Sequence, residues 1–393
     1  MNKKEILDTE NSLMANVFAK KPIVLVEGKG VLVWDIQGKE YLDFSSSYGV
    51  AALGHSHPKI VKAINEQAEK IISCHSGFYN PKRAELLQKL VNLTPKGLNK
   101  IFLSNSGAES IECAIKLARK FTGKTEIIAF MGAYHGKTMG ALSATWDKKY
   151  RSPFEPLVPN FKHVPPDNLE KLQKAITEKT AAILIEPIRG EGGIRLLSQG
   201  FLQEVREICD KQKILLILDE VQTSFGRTGK LFAFEHWKIT PDILCLAKPF
   251  AGGLPIGITI AKKHIMSSLK TGEHTSTFSG SPVVCAAAIA AITIPMDITL
   301  SHGNGFVTSI ITNEAVSPPI SISCSPIPKS AFRSNIKVVV SSGCRFAFLD
   351  SIKFESILRS NVASPAVPPS LVTTTYTMNS SFSNISFGAM VIS

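Results

Sequence analysis

The chain has 393 residues, 44 % apolar and 19 % charged, a size for two to three domains and a composition that excludes a disordered or fibrous protein. Its formal charge of +12, from 44 basic against 32 acidic residues, is spread along the chain. With no aromatic-interleaved basic tract, that charge argues against nucleic acid and for anionic ligands, whose encounter rate a positive potential raises.

The opening stretch, MNKKEILDTENSLM, has no apolar run behind its lysines, so neither a secretory signal nor a membrane anchor is expected. Residues 1–60 read as a lead-in of short strands, with a hairpin turning at Gln37-Gly38 inside VLVWDIQGKEYLDF. From about residue 60 to 290 helix and strand patterns alternate. Helices are expected over Pro58–Ile72, Pro81–Leu93, Ala108–Phe121 and Phe201–Lys211. Strands are expected at IFLS (101–104), EIIAF (126–130), AAILIE (181–186), ILLIL (214–218) and ILCLA (243–247). The last four are near-continuous apolar runs, as strands buried on both faces require, so the class is α/β with a mostly parallel sheet.

The longest apolar stretch, Pro282–Met296, is rich in alanine and too short for a bilayer span. Near residue 293 the composition breaks. The last 101 residues hold four acidic and six basic residues, about one serine in five, and eight prolines. No helical period survives there for more than a turn or two. Seven cysteines without CxxC spacing fit reduced thiols in a cytoplasm.

Four segments carry chemistry. SNSGAES (104–110) follows a strand and opens a helix, so its backbone N–H groups and dipole suit a phosphate. The same residues also suit a plain N-cap, with Ser106 as cap and Glu109 at the third position. Asp219-Glu220 ends a buried strand, where α/β proteins bind ligands. A carboxylate there holds a protonated ring nitrogen or caps a helix. Lys248 ends the strand ILCLA, where burial lowers an amine's pKa and frees it to attack a carbonyl. A solvent-facing lysine is the alternative. Tyr134, directly after EIIAF, offers a ring to stack on a flat cofactor or merely a rim aromatic. His135, and the pair His55 and His57, have no partners at metal-ligand spacing, so no metal site is expected. Taken together, an anion-binding turn, a stacking ring, a strand-end aspartate and a strand-end lysine describe a pyridoxal 5′-phosphate site.

The chain resembles the class III (ω-) aminotransferases of the acetylornithine/ornithine type, which have the fold-type I architecture of pyridoxal phosphate enzymes. The resemblance rests on LGHSHP (53–58), SNSGAESIECAIKLAR (104–119), YHGKTMGALS (134–143), EPIRGEGG (186–193), LDEVQTSFGRTG (218–229), LAKPFAGGLPIG (246–257) and STFSGSPV (276–283). These motifs stand in family order over about three quarters of the chain. The resemblance implies that Lys248 carries the cofactor's aldehyde and later moves the proton, while Asp219 keeps the pyridine nitrogen protonated. It implies that Tyr134 and Val221 pack on the two ring faces and that Gln222 approaches the phenolic oxygen. Ser106, Gly107 and Ala108 would hold the phosphate, joined by Thr277 of a second copy, which makes a homodimer. Glu191 would be the switch residue beside the substrate carboxylate.

By the same resemblance residues 1–60 belong to a small domain and 61–292 form the large cofactor domain. Residues 293–393 stand where a C-terminal small domain is expected and do not match it. Arg333, Arg345 and Arg359 lie in no matching context, and the tail looks like a frame change, an inversion or a read into foreign sequence; a replacement domain is the alternative. A second departure is Lys137, where relatives usually carry arginine for the substrate carboxylate. Lysine is a point charge there, not a two-pronged donor. The implied reaction moves the terminal amine of an N-blocked ornithine or lysine to 2-oxoglutarate, in arginine or lysine biosynthesis. KYRSPFEPLVPNFKHVPPDN (149–168) is most similar to archaeal-type enzymes whose substrate rides on a small acidic carrier protein, which a basic surface would steer. The alternatives are a glutamate-semialdehyde aminomutase, another ω-amine transaminase acting on a substrate such as 4-aminobutyrate, and a cofactor-binding protein impaired by its tail.

Overall fold

The computed structural model describes residues 1–298 and 337–339. The chain opens on α1 (Lys3–Leu13), a helix inside a lead-in expected to hold only strands. Its start is a reciprocal cap in which Asn2 accepts from the Glu5 N–H and Glu5 accepts from the Asn2 N–H, the pattern N-x-x-E that the sequence displays. β1 (Leu25–Lys29), β2 (Leu32–Asp35) and β3 (Glu40–Asp43) follow. β2 and β3 are the expected antiparallel hairpin around Gln37-Gly38. Tyr41 Oη donates to Asp35 Oδ2 at 2.7 Å and fixes it from within. A kinked turn, α2 (Ser46–Gly49), then holds Ser47 and Tyr48 at positive φ.

α3 (Pro58–Ala68) starts on His57, whose ring accepts from the Lys59 N–H, so His57 is a cap. His55 pairs with Asp43 at 2.7 Å. The helix stops at Ala68, four residues short of the expected Ile72, where the exposed Ile71 and Ile72 leave the surface of the bundle. α4 (Pro81–Leu93) matches its expectation and begins on an Asn80 cap. The large domain then runs β4 (Leu98–Ser104), α5 (Gly107–Thr122), β5 (Glu126–Phe130), α6 (Met139–Ala144), α7 (Lys148–Arg151), β6 (Phe161–Val164), α8 (Leu169–Ala175) and β7 (Thr180–Ile185). A two-residue pair, β8 (Ile188–Arg189) and β9 (Arg195–Leu196), precedes α9 (Phe201–Gln212) and β10 (Leu215–Asp219). β11 (Ile243–Ala247), β12 (Gly257–Lys262), α10 (Lys263–Met266) and α11 (Pro282–Ile298) complete it. β13 (Lys337–Val339) lies parallel to β3.

Seven strands form one sheet in the order β4-β12-β11-β10-β7-β5-β6. The pairs β10/β11, β10/β7, β7/β5 and β5/β6 are parallel, and β12 alone runs against both neighbours. Each apolar run feeds both faces in alternation. Leu216, Leu218, Leu244 and Leu246 join a core under α9 and α11. Leu215, Ile217, Ile243 and Cys245 join a second core under α5. That is why these runs lack a polar face: the period of two is present, but both sides are dry. α11 lies on α3 and α4 and buries Cys285, Ala287, Ala288 and Ala291. It runs through the composition break at residue 293 and on to Ile298. The rest of the Ser/Pro-rich tail, with Arg333, Arg345 and Arg359, lies outside the described residues. Among the described residues no helix is long and apolar enough to cross a membrane.

Packing sets one pH response. His163 on β6 sits against Trp146, donates from Nε2 to the Ala144 carbonyl at 3.0 Å, and is pushed down to about 4, chiefly by burial. A depressed histidine binds its proton better in the unfolded chain. Its contribution to stability is therefore complete above about pH 6.5 and is lost as the pH falls towards 4. Urea midpoints are expected to fall across that window, and His163→Gln, which keeps a donor for Ala144, is expected to flatten the fall. An unchanged slope in the variant would assign the window to other groups.

Candidate active site

Parallel pairing brings chemistry to one edge. The C-terminal ends of β5, β7, β10 and β11 point the same way, and β4 joins them because Ser104 and Ala247 both pair with Gly257 of β12. Adjacent strands lie about 5 Å apart, so the residues following each strand share one crevice. This is where open α/β sheets bind ligands.

At the end of β4, Ser106 caps α5, its Oγ accepting from the Glu109 N–H at 3.2 Å. Cap and anion turn coexist, because the Gly107 and Ala108 N–H groups stand in the first turn and have no intrahelical acceptor. After β5, Tyr134 donates its N–H to Glu186 Oε2 at 3.0 Å. Burial, with Glu191 next, pushes its phenol up to about 12. The loop then crosses α5 at Gly136, which holds φ +132°; a β-carbon there would stand 2.8 Å from Ala108 Cβ.

At the end of β10 the acidic pair divides. Asp219, 4 % exposed, accepts from the Val221 N–H at 3.0 Å and from His135 Nδ1 at 2.7 Å. Glu220 turns into the protein, accepts from the Ala233 and Phe234 N–H groups, and burial pushes it up to about 8. Beyond β11, Lys248 takes φ +51° and donates from Nζ to Gln222 Oε1 at 2.5 Å. Burial first and Arg227 second lower its pKa, against the pull of Glu191, Asp219 and Glu186.

Of the residues singled out in the sequence, Lys248, Gln222, Val221 and Asp219 thus form one group, with Gly107 against Val221 and Tyr134 beside them. Glu191 is exposed on the Gly190–Gly193 turn and reaches Lys248 and Tyr134 through its field. Lys137 lies exposed at the rim, its Nζ 5.0 Å from the Tyr150 ring, which packs edge-on against Tyr134. Thr277 is exposed; its neighbour Ser276 accepts from Asn105 Nδ2 at 3.0 Å, beside the α5 cap.

Three groups at this edge were not singled out. His135, read only against metal-ligand spacing, is the partner of Asp219 across 84 residues of sequence. Glu186 bridges the Tyr134 and Gly190 N–H groups, and burial holds it well above the usual carboxylate range. The signal was present, because it closes an apolar run as Asp219 does. The third is Arg227.

A strand-edge lysine with a lowered pKa, a buried carboxylate opposite and an open helix start define a fold-type I, pyridoxal phosphate-dependent transferase. The match of residues 14–309 to the family Aminotransferase class-III establishes that the chain belongs to it. The chain is 49 % identical over 300 residues to the acetylornithine aminotransferase of Methanopyrus kandleri, covering 76 % of each chain. It is 44 % identical over 293 residues to the LysW-aminoadipate semialdehyde transaminase of Deinococcus radiodurans, covering 74 % of this chain and 68 % of that one. The crystal structure of the ornithine aminotransferase from Toxoplasma gondii superposes with a TM-score of 0.73 at 33 % identity, over 76 % of this chain and 73 % of that one.

The residues present fit the cofactor. A β-carbon on Gly107 would stand 2.7 Å from Val221 Cγ1. The α5 start and the β10 end therefore close on a common space that glycine alone keeps open, with phosphate donors on one side and the Asp219 charge on the other.

Proposed function

We propose that this aminotransferase moves the terminal amine of an N-blocked ornithine or lysine to 2-oxoglutarate, as a cytoplasmic homodimer serving arginine or lysine biosynthesis. The observation that carries it is the pairing of Lys248 with Gln222 one strand away from Asp219. Bound pyridoxal phosphate supplies an aldehyde and an electron-withdrawing ring. In this reading Lys248 Nζ, kept short of protons by burial, attacks the aldehyde carbon and afterwards carries the proton between substrate carbons. Asp219 holds a proton on the ring nitrogen, with His135 fixing its carboxylate. Gln222 lies by the phenolic oxygen, Tyr134 and Val221 flank the ring, and Ser106, Gly107 and Ala108 receive the phosphate. Glu191 and Lys137 face the substrate.

The dimer draws support from an apolar face. Ile72, Phe78, Tyr79 and Phe278 are exposed, and they are gathered by bonds from Ser76 to the Ser279 carbonyl and from Ser281 to the Ile72 carbonyl. Thr277 sits in that face and would reach the phosphate of the second copy. The names of the relatives support an N-blocked substrate, and the basic excess supports an acidic carrier.

A half-reaction screen tests the substrate class. N-acetylornithine or carrier-bound lysine is expected to bleach the cofactor band of the loaded protein faster than free ornithine or 4-aminobutyrate. Faster bleaching by the free amines overturns the N-blocked reading, and turnover of glutamate semialdehyde without added oxo acid points to the mutase.

A further inference from the structure

Arg227 lies in the loop after Gln222 and brings a guanidinium back against the site. Its Nε and Nη2 are buried and have no hydrogen-bond partner among the described residues. Burial alone pushes it down to about 10. A β-carbon at Gly49 would stand 2.4 Å from Arg227 Nη1 and 3.0 Å from Gln222 Oε1. Gln222 Oε1 in turn holds Lys248 Nζ. Guanidinium and reactive amine are therefore separated by little more than the width of a methyl group on Gly49. At φ +83° that glycine leaves the gap open.

A buried cation without a counter-charge is costly, and truncating or stranding one typically destabilises a fold. It persists where a ligand supplies the anion. Each substrate of an aminotransferase, amino acid or oxo acid, carries a carboxylate. The phosphate has its own donors at the α5 start, and Lys137, the cation expected for the carboxylate, is spent on the Tyr150 ring at the rim.

We propose that Arg227 receives a substrate carboxylate across Nη1 and Nη2 in the gap beside Gly49. The fork of donors matches a carboxylate with two parallel bonds, which lysine does not make. This inference rests on the reading of Lys248 as the reactive amine. It adds a second recognition point to a site whose rim lysine is a weak one.

The test uses glutarate, a five-carbon dicarboxylate with no amine, on the full-length, cofactor-loaded protein. Its Kd is read from tryptophan fluorescence in the wild type, Arg227→Gln, Arg227→Lys and Lys137→Gln. Arg227→Gln is expected to raise Kd about tenfold to a hundredfold, Arg227→Lys by about fivefold, and Lys137→Gln by less than either. Glutarate binding by Arg227→Gln within twofold of wild type, or no binding by the wild type at millimolar concentration, overturns the proposal. If Arg227→Gln does not fold, Arg227→Lys decides, and wild-type affinity in it is the overturning result. Borohydride is expected to fix the cofactor to Lys248 in every variant. If it fails to do so in the wild type, the functional reading falls on its own, independently of Arg227.

Discussion

Replacing Lys248 by alanine is expected to abolish measurable transamination with every amine in the screen, a loss of at least about 10⁴-fold in kcat, because nucleophile and proton carrier leave together. The residue has no understudy among the described residues at the edge. Its Nζ is the amine bonded to Gln222 between the ends of β10 and β11, whereas Lys137 stands at the rim over Tyr150. The backbone at 248 already holds φ +51° with a non-glycine residue, so alanine adds no new strain and the melting transition is expected to persist. Cofactor reduced with borohydride should appear on the tryptic peptide of the wild type at position 248 and be missing from the variant. Turnover above one hundredth of wild type, or an adduct on another lysine, would remove Lys248 from the centre of the chemistry.

How far the fold and site were legible depends on which physical signal each residue carried. The β-strands on both-face-buried runs were readable because ILLIL and ILCLA have no polar alternation, and both were placed to within a residue. β12, GITIAK, was not, because a lone antiparallel strand between two parallel ones has no distinguishing pattern and its glycine reads as loop. Asp219 and Lys248 stood out because a charge at the end of such a run is expensive unless used. Glu186 carried the same signal and was passed over, since AAILIE was read as a strand without asking what its last carboxylate accepts. His135 and Arg227 were out of reach for a different reason. Their meaning lies in contacts formed only on folding, one with a carboxylate 84 positions away and one beside Gly49. α11 shows the converse error: a change in composition at residue 293 is a statement about the gene's text, and the helix crosses it unbroken to Ile298.

Asp219→Asn is expected to lower the rate of the amine half-reaction about 10³-fold while the amine's KM and the overall fold change little. The amide has the size of the carboxylate, and its Oδ1 can still accept from the Val221 N–H, so the β10 end keeps its shape. What is lost is charge at a site that is 4 % exposed, where a fixed negative group acts through a medium far less screening than water. Orientation is lost as well. His135 Nδ1 donates to Oδ2 at 2.7 Å, and an amide NH₂ turned towards that nitrogen sets donor against donor unless the ring changes tautomer. The two losses separate in His135→Phe, which removes the orienting bond and leaves the carboxylate. That variant is expected to slow the half-reaction by about tenfold to a hundredfold. Stopped-flow bleaching of the cofactor band with a saturating amine measures both. If Asp219→Asn runs within tenfold of wild type, the ring nitrogen does not depend on this carboxylate. If His135→Phe is as slow as Asp219→Asn, the histidine does more than hold Asp219 in place, and the orphaned His135 Nε2 becomes the atom to follow.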